Sequence, residues 1–507
     1  MSYRGIEMLF KPVQLWENNE EKRFYIELID IYTRLVNVYL EKNNINYEYQ
    51  ETDIRQELFD IGIIDDHTDI ELLKQNISDK FQSFIEAVSY VKDHKTEIGN
   101  ILDKLYNSKR RELQNNENNE PKIVDFFCGA GGLSLGFIQE GCKVVLANDI
   151  EEVCINTYKY NHPELSSDKV IKGDIKEIVD NVCDYIEDDV DIIVGGPPCQ
   201  GFSEANRQRV IDDPRNKLYK YFVKAVEKIA PKFVVMENVK GMLKVANQVV
   251  EDYERLRVKN DLTYSVGYKV LNSQDFSVAQ SRERLIYIAI RSDVAEAHHI
   301  SPQSIFEEIE EQCKDNKVFT LNDALECIKP LDAPRIKNQN EVDSETTGKK
   351  IDVNNFSNNE YLNLINNNIT PQFVFNHKAR YVNDINYEIY KKLNPGDDAT
   401  DEKIKDIMPY ANRNHCFKDK YYKLIGDRPS RTITAHLRMD CHSHIHPRQI
   451  RAITPREAAR VQSFPDDYMF LGPYLKTYMQ IGNAVPVMMA RGIARVICRY
   501  LNEGEDN

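Results

Sequence analysis

No two cysteines in this chain stand at Cys-x-x-Cys spacing, although ten are scattered among its 507 residues. Unpaired thiols fit a reducing cytosol and argue against both a disulfide framework and a structural metal. No apolar run approaches the length of a membrane span, and the start Met1-Ser2-Tyr3-Arg4-Gly5 leads into no apolar signal core. The expectation is a cytoplasmic protein with no metal and no membrane partner. The sequence also lacks a Gly-Lys-Ser/Thr phosphate loop and the full Gly-x-Gly-x-x-Gly dinucleotide spacing. Positive charge is short as well: 66 Lys and Arg face 81 Asp and Glu, a net charge of −15. Taken alone, that balance disfavours a nucleic-acid partner, because phosphate needs local positive charge. A basic groove can nevertheless sit between acidic flanks, so the distribution along the chain decides. At this length, with 41% hydrophobic and 29% charged residues, two or three domains and a sizeable core are expected.

Residues 1–112 read as helical. Leu28, Ile29, Tyr32, Leu35, Val36 and Tyr39 recur at helical spacing, and Phe84, Ile85, Val88, Val91, Ile98, Ile101, Leu102 and Leu105 do so less regularly. They carry no nameable chemistry, and an amphipathic cap or interaction module is the simplest reading. The polar run 113–120 is a linker and a domain boundary. The pattern then changes. Lys122–Phe127 is a strand, Cys128-Gly129-Ala130-Gly131-Gly132 a glycine turn, and Leu133–Glu140 a helix. Strand, glycine turn and helix start make a cradle for a nucleoside, though any tight βα connection gives the same signal. A second strand, Lys143–Ala147, ends at Asn148-Asp149, where a carboxylate is placed to accept ribose hydroxyls. A third, Lys169–Ile171, ends near Asp174 and Ile175, a carboxylate for an adenine amino group and an apolar side chain for its ring. Each acid taken singly is more simply a helix cap.

The most informative stretch is Gly195-Gly196-Pro197-Pro198-Cys199-Gln200-Gly201-Phe202-Ser203, which follows the apolar run Val190–Val194. Two glycines and two prolines end the strand and force a stiff turn that presents Cys199. A thiol at the carboxyl end of a strand stands where α/β sheets place their chemistry, although a lone cysteine is more often packing. A polar loop with Arg207, Arg209 and Arg215 follows, then a helix from about Leu218. The strand Lys232–Met236 ends in Glu237-Asn238-Val239, one crossover from Cys199, so the two strand ends converge. Val266–Leu271 and Leu285–Ile290 are further strands. Between them Gln280-Ser281-Arg282-Glu283-Arg284 sets two arginines at i, i+2, pointing the same way on extended chain. Residues 296–428 break the alternation and read as a smaller domain. The chain then turns basic: Arg428-Pro429-Ser430-Arg431-Thr432-Ile433-Thr434, then Arg438, His442, His444, His446, Arg448 and Arg451, a stretch expected to face phosphate. Its histidines match no standard metal spacing. Gln480-Ile481-Gly482-Asn483-Ala484-Val485-Pro486 opens the last helix.

From about Pro121 to Ile497 these motifs, in this order, resemble the DNA (cytosine-5)-methyltransferase family. The resemblance implies a Rossmann-like α/β methyltransferase sheet that uses S-adenosylmethionine, with a catalytic domain at 121–295, a target-recognition domain at 296–428 and a return to the catalytic domain at 429–507. It implies a cofactor pocket lined by Phe127, Gly129, Ala130, Gly131, Gly132, Asp149, Ile150, Asp174, Ile175, Pro198, Leu218, Asn483 and Ala484. Cys199 is then the nucleophile for cytosine C6, Glu237 bonds the base at N3 and its exocyclic amine, and Arg284 reaches O2 with Arg282 beside it. Gln200, Ser203, Arg207, Arg209 and Arg215 belong to a loop that closes over double-stranded DNA, and Arg431 and Thr432 face it later in the chain. Asp149 stands where the family often has Glu, Ile150 where an aromatic often stacks, and Ala279 where proline is common. A monomer is expected, in a bacterial or phage setting beside a cognate restriction endonuclease. The residues also admit a tRNA cytosine methyltransferase, a silent DNA-binding regulator and, less well, a nicotinamide-dependent oxidoreductase. The segment 1–112 lies outside the resemblance.

Overall fold

The computed structural model describes residues 10–49, 53–94, 120–187, 189–198, 218–409 and 420–502. Its centre is a seven-stranded sheet. The strands are β1 (Lys122–Phe126), β2 (Lys143–Asp149), β3 (Val170–Lys172), β4 (Ile192–Gly195), β5 (Phe233–Val239), β6 (Tyr264–Asn272) and β7 (Glu283–Arg291), in the order β3-β2-β1-β4-β5-β7-β6. The first five are parallel, and β7 runs antiparallel to both β5 and β6. Apolar runs form these strands because both sheet faces are covered. Successive residues feed opposite layers: Ile192 and Val194 join one core and Ile193 the other, as Phe233 and Val235 divide from Val234 and Met236. Helices Gly132–Ile138, Pro302–Cys313 and Val487–Asn502 cover one face, and Ile175–Asp180, Leu218–Ile229 and Ala246–Glu254 the other.

Two features of this topology position the site. The chain builds β1, β2 and β3 outward in one direction, then returns to build β4 and β5 on the other side of β1. The crevice at the carboxyl ends of β1 and β4 is therefore the reversal point, where such sheets bind ligands. The second is the reversed β7, whose starting residues lie beside the ends of the parallel strands. Val239 pairs with Arg284 and Glu237 with Ile286.

Packing continues past residue 296. Ile305, Phe306 and Ile309 of the Pro302–Cys313 helix share a core with Ile290 and Met489. A two-stranded ladder, β8 (Gly348–Val353) with β9 (Phe373–Lys378), stands apart from the main sheet. The N-terminal apolar residues, from Trp16 and Leu28 to Tyr90, form one cluster with Ile351, Phe373 and Phe375 of that ladder and with Tyr160, Met469 and Leu471. The stretch Tyr474–Asn502 is apolar and long enough to cross a membrane, but 72% of its most apolar window is buried against the rest of the chain. It is also two helices, Tyr474–Asn483 and Val487–Asn502, parted at Pro486.

The C-terminal return has a charged core. Arg451 and Glu457 are fully buried and joined by two 2.7 Å bonds, while the Glu457 carboxylate also accepts from Thr454 N at 2.7 Å. Thr454 and Glu457 form a capping box on the Pro455–Val461 helix. Burial alone would raise the Glu457 pKa, but the Arg451 charge and bonds outweigh it and hold the carboxyl far below the usual range. Glu457→Ala leaves the Arg451 cation buried without its counter-charge and is expected to cost about 3–5 kcal/mol, read as a lowered urea midpoint. An unchanged midpoint would mean that water reaches Arg451.

Candidate active site

The glycine turn after β1 is built by backbone that only certain residues tolerate. Phe127 has φ +57°, Gly129 +53° and Gly131 +84°. The three glycines meet different surroundings. A Cβ on Gly132 would lie 2.5 Å from the Val485 carbonyl oxygen, and one on Gly131 would lie 2.8 Å from the Tyr468 hydroxyl. A Cβ on Gly129 would meet nothing within 4 Å. The turn is thus closed behind against the C-terminal return and open in front at Gly129.

The ends of the neighbouring strands frame that open side. Asp149 accepts from Gly129 N at 2.9 Å and from Glu151 N at 2.8 Å. A carboxylate offers about four acceptor sites, more than its backbone bonds use. Burial, against those backbone bonds, raises its pKa from the ordinary carboxylate value. Ile150 projects with 64% of its surface exposed. Asp174 is exposed and caps the Ile175–Asp180 helix through Lys176 N at 2.9 Å, while Ile175 is buried in the core beneath it. Pro198 and Asn483 are exposed, Phe127 and Leu218 half-buried, and Ala130 and Ala484 buried. A Cβ on Gly132 would also come within 3.1 Å of the Ala484 side chain, so the first and last motifs are in contact.

Across the reversal point, β4 ends at Gly195 and runs into Gly196-Pro197-Pro198. The Pro197 carbonyl accepts from the Asn238 amide at 2.9 Å, which ties this turn to the end of β5. A Cβ on Gly196 would stand 3.1 Å from Glu237 Oε2. Glu237 Oε1 lies 2.7 Å from Arg284 Nε, and both side chains are mostly buried. Glu237, the Pro197 turn and Arg284 therefore meet at one place. Cys199, Gln200, Ser203, Arg207, Arg209 and Arg215 lie outside the described residues.

The two arginines expected to act side by side divide. Arg282 is buried and donates from Nη1 to the Ile433 carbonyl at 2.6 Å and from Nη2 to the Gly482 carbonyl at 3.2 Å. It precedes β7, so the strand alternation that aims Arg284 at Glu237 does not govern it. Gln280 acts similarly: its amide donates to Gln462 Oε1 at 2.7 Å and its carbonyl accepts from Ile433 N at 2.7 Å. Thr432 donates its hydroxyl to the Ser281 carbonyl at 3.0 Å, and the Arg431 guanidinium lies 4.7 Å over the Tyr422 ring.

The expected phosphate-facing run needs correction. Arg451 is buried on Glu457, and His444 and His446 are buried as well. His446 Nδ1 accepts from the Arg448 and Gln449 amides at 3.0 Å, and His442 bonds the Tyr390 hydroxyl at 2.8 Å. Burial is the main cause that pushes His442 down to about 4 and His444 and His446 down to about 3. These rings are neutral packing groups and attract no phosphate. Charge pattern cannot distinguish an arginine bound for a buried carboxylate from one bound for solvent.

Three contributors escape a sequence reading. Asn238 hides behind the stronger signal of Glu237. Gln280 reads as part of an arginine motif. Asp125 sits buried inside an apolar strand. Burial, opposed by a hydrogen bond with Ser134 and reinforced by the Asp149 charge, pushes Asp125 up to about 8.

A family model for C-5 cytosine-specific DNA methylases matches residues 121–499. The type II methyltransferase M1.HphI of Haemophilus parahaemolyticus is 32% identical over 387 residues, covering 74% of this chain and 86% of its own. M.AgeI of Thalassovita gelatinovora, also a type II methyltransferase, is 30% identical over 442 residues, covering 74% and 99%. M.DdeI of Desulfomicrobium norvegicum is 32% identical over 403 residues, covering 75% and 88%. A crystal structure of a prophage-encoded protein (E. coli) assigned as a DNA modification methyltransferase superposes with a TM-score of 0.57 at 24% identity, covering 76% of this chain and all of its own. It shares the fold.

Two outcomes are expected. Gly132→Ala forces the Val485 carbonyl to move and should cost about 1–3 kcal/mol, whereas Gly129→Asn, a residue that tolerates the left-handed φ and whose side chain enters open space, should cost about 1 kcal/mol yet weaken binding in the crevice. Thermal unfolding beside ligand titration separates the two; a Gly129 variant that binds normally would move the ligand elsewhere. The second concerns pH. Histidines with folded pKa values below the ordinary ~6.5 give stability that is complete above about pH 6.5 and is lost as pH falls toward about 4. The unfolding temperature should therefore drop between about pH 7 and about pH 5, and His446→Asn should flatten that slope. A flat wild-type profile would contradict the neutral assignment.

Proposed function

The chain belongs to the C-5 cytosine-specific DNA methylase family and is a DNA cytosine-5 methyltransferase, and we propose that it is the site-specific modification enzyme of a restriction-modification pair, acting on duplex DNA. The observation that supports this reading best is the meeting of Glu237, Arg284 and the Pro197 turn at the reversal point of the sheet.

The crevice suits S-adenosylmethionine. Gly129 leaves room for it, Asp149 keeps lone pairs for ribose hydroxyls, and exposed Ile150 offers an apolar face to an adenine ring. Phe127, Gly129–Gly132, Asp149, Ile150, Asp174, Ile175, Pro198, Leu218, Asn483 and Ala484 would hold it. When bound, it supplies an electrophilic methyl group for C5. The remaining work falls to the chain. The thiol of Cys199 follows the Pro197-Pro198 turn that Asn238 anchors, and adds to C6 of the cytosine. A free thiol is only a few per cent thiolate at neutral pH, so neighbouring cations and amides are needed to raise that fraction. As electron density moves onto the ring, N3 gains negative charge and C5 becomes nucleophilic; once C5 carries the methyl group, a base removes the C5 proton and the Cys199 thiolate leaves C6, which restores the ring and frees the thiol. Glu237 bonds N3 and the exocyclic amine, and Arg284 holds Glu237 in place and carries positive charge to the O2 side. Arg282 is a positioning residue that fastens the C-terminal return to this end of the sheet.

Inside a duplex C6 is covered by its neighbours, so the nucleotide must leave the stack at a cost of a few kcal/mol. Gln200, Ser203, Arg207, Arg209 and Arg215 are assigned to the loop expected to close over DNA, and Arg431 and Thr432 to DNA contact later in the chain. Residues 296–428 read base edges in the major groove. The tRNA reading is disfavoured by the length of that segment and by relatives named as type II methyltransferases. The silent-regulator reading is disfavoured by the intact Cys199, Glu237 and Arg284.

Plasmid DNA from cells expressing the protein should show protected cytosines within one short sequence after bisulfite sequencing. Cys199→Ala should abolish that protection while S-adenosylmethionine still binds within about twofold of wild type. Methylation of tRNA but not duplex DNA, or protection that survives Cys199→Ala, would overturn the assignment.

A further inference from the structure

The N-terminal helix Asn19–Lys42 lies outside the stretch 121–499 that matches the family, yet it touches both halves of the molecule. At 24 residues it is about 36 Å long. Asn18 caps its start, accepting from the Glu20 and Glu21 amides. One face is apolar: Phe24, Leu28, Ile31, Leu35 and Val38 are buried in the cluster that includes Ile351, Phe373 and Phe375 of the β8–β9 ladder.

Beside that face runs a stripe of charge, Glu20, Glu27, Arg34 and Glu41, repeating every seven residues and so aligned along the helix. Each member has a partner, and the partners change along the length. At the start, Glu20 pairs with Lys172 at the end of β3, and Arg23 pairs with Glu152 at 2.9 Å, three residues after Asp149. In the middle, Glu27 accepts from Lys350 Nζ at 2.8 Å and from Gly472 N at 2.8 Å. Further on, Arg34 pairs with Asp343, which also accepts from Lys378 Nζ at 2.8 Å and from Lys350 N at 3.0 Å. Glu41 pairs with Lys349 at 3.2 Å. The two grips, at the start and in the middle, are not equal in strength. Arg23 is 63% exposed, so its pair is screened by water. The Glu27–Lys350 side chains are under 20% exposed and are backed by the apolar cluster, so this grip on the ladder is the stronger one.

We propose that the Asn19–Lys42 helix is a strut of the methyltransferase, with Glu27 and Arg34 as positioning residues that hold the β8–β9 ladder, and the segment that carries it, at a set angle to the cofactor-binding half. This rests on the reading of residues 296–428 as the DNA-reading segment. Sequence-specific methylation needs a base edge and a flipped cytosine to be addressed at once, and that requires the reader and the nucleophile to keep a fixed separation. The family's own stretch already joins these halves by packing, with Ile305 and Phe306 on the sheet core and Tyr361 beside Ala279 and Leu135. The strut adds a further connection, made by residues that stretch does not include.

The test uses the full chain carrying Glu27→Ala with Arg34→Ala. KM for duplex DNA should rise by about tenfold or more, with kcat and the dissociation constant for S-adenosylmethionine within about twofold of wild type. Lys350→Ala breaks the same grip from the ladder side and should give the same split, which keeps the question answerable if the double variant does not fold. A DNA KM unmoved in variants whose N-terminal helix is cleaved faster by protease would overturn the proposal. So would equal losses for DNA and S-adenosylmethionine, the mark of general unfolding. A wild-type protein that fails to methylate duplex DNA would instead sink the functional reading on which the strut rests.

Discussion

Glu237 and Arg284 meet because β7 runs against the rest of its sheet. In a wholly parallel sheet the start of a strand lies at the far pole from the end of its neighbour. Reversal sets Arg284 opposite Val239, the last residue of β5, so a 2.7 Å contact closes between side chains 47 positions apart. The same end of β5 reaches the other way through Asn238 to the Pro197 carbonyl. Three segments distant in sequence are fixed at one point by a single change of strand direction. The open side of Gly129 and the Asp149 carboxylate lie beside it at the reversal between β1 and β4. The Pro197 turn, the Glu237–Arg284 pair and the open crevice at Gly129 are consequences of strand order and direction.

The carboxyl-terminal quarter of the chain makes that arrangement rigid. Gln280 and Arg282 grip Ile433, Gln462 and Gly482 through buried bonds. Gly482 must be a glycine because any Cβ would lie 2.2 Å from the Ala435 amide nitrogen. Behind these contacts are Arg451, Arg456 and Arg460, all fully buried. Two have a carboxylate, Glu457 or Asp466, while Arg456 donates to the carbonyls of Phe375, Pro465 and Tyr468. A buried guanidinium with each of its nitrogens bonded is costly to displace, since moving it exposes several unmade bonds at once. The return is therefore held by directional polar contacts as well as by apolar packing, which suits a segment that must align with both Gly132 and the start of β7.

Sequence alone determined what repetition and local chemistry can encode. Apolar runs ending in Gly129–Gly132, in Gly195–Pro198 and in Glu237 fixed the strands, the turns and the pole at which they converge, because strand burial and turn stiffness are local properties. The ordered motifs fixed the family. Only the tertiary structure decided which arginine goes where. Arg282 and Arg284 are two residues apart and chemically identical, yet one bonds backbone carbonyls of the return and the other a carboxylate of β5. The basic run ending at Arg451 looked like a surface for phosphate, yet His444, His446 and Arg451 are core. The helical repeat of residues 19–42 was visible, but its charge stripe had no meaning until its partners in β3 and in the β8–β9 ladder appeared. The physical reason is common to all three. Hydrophobic periodicity reports how a segment faces its nearest layer, whereas a charge is placed by the opposite charge or carbonyl that desolvates with it, and that partner can be six positions away, as for Arg451, or 309, as for Arg34.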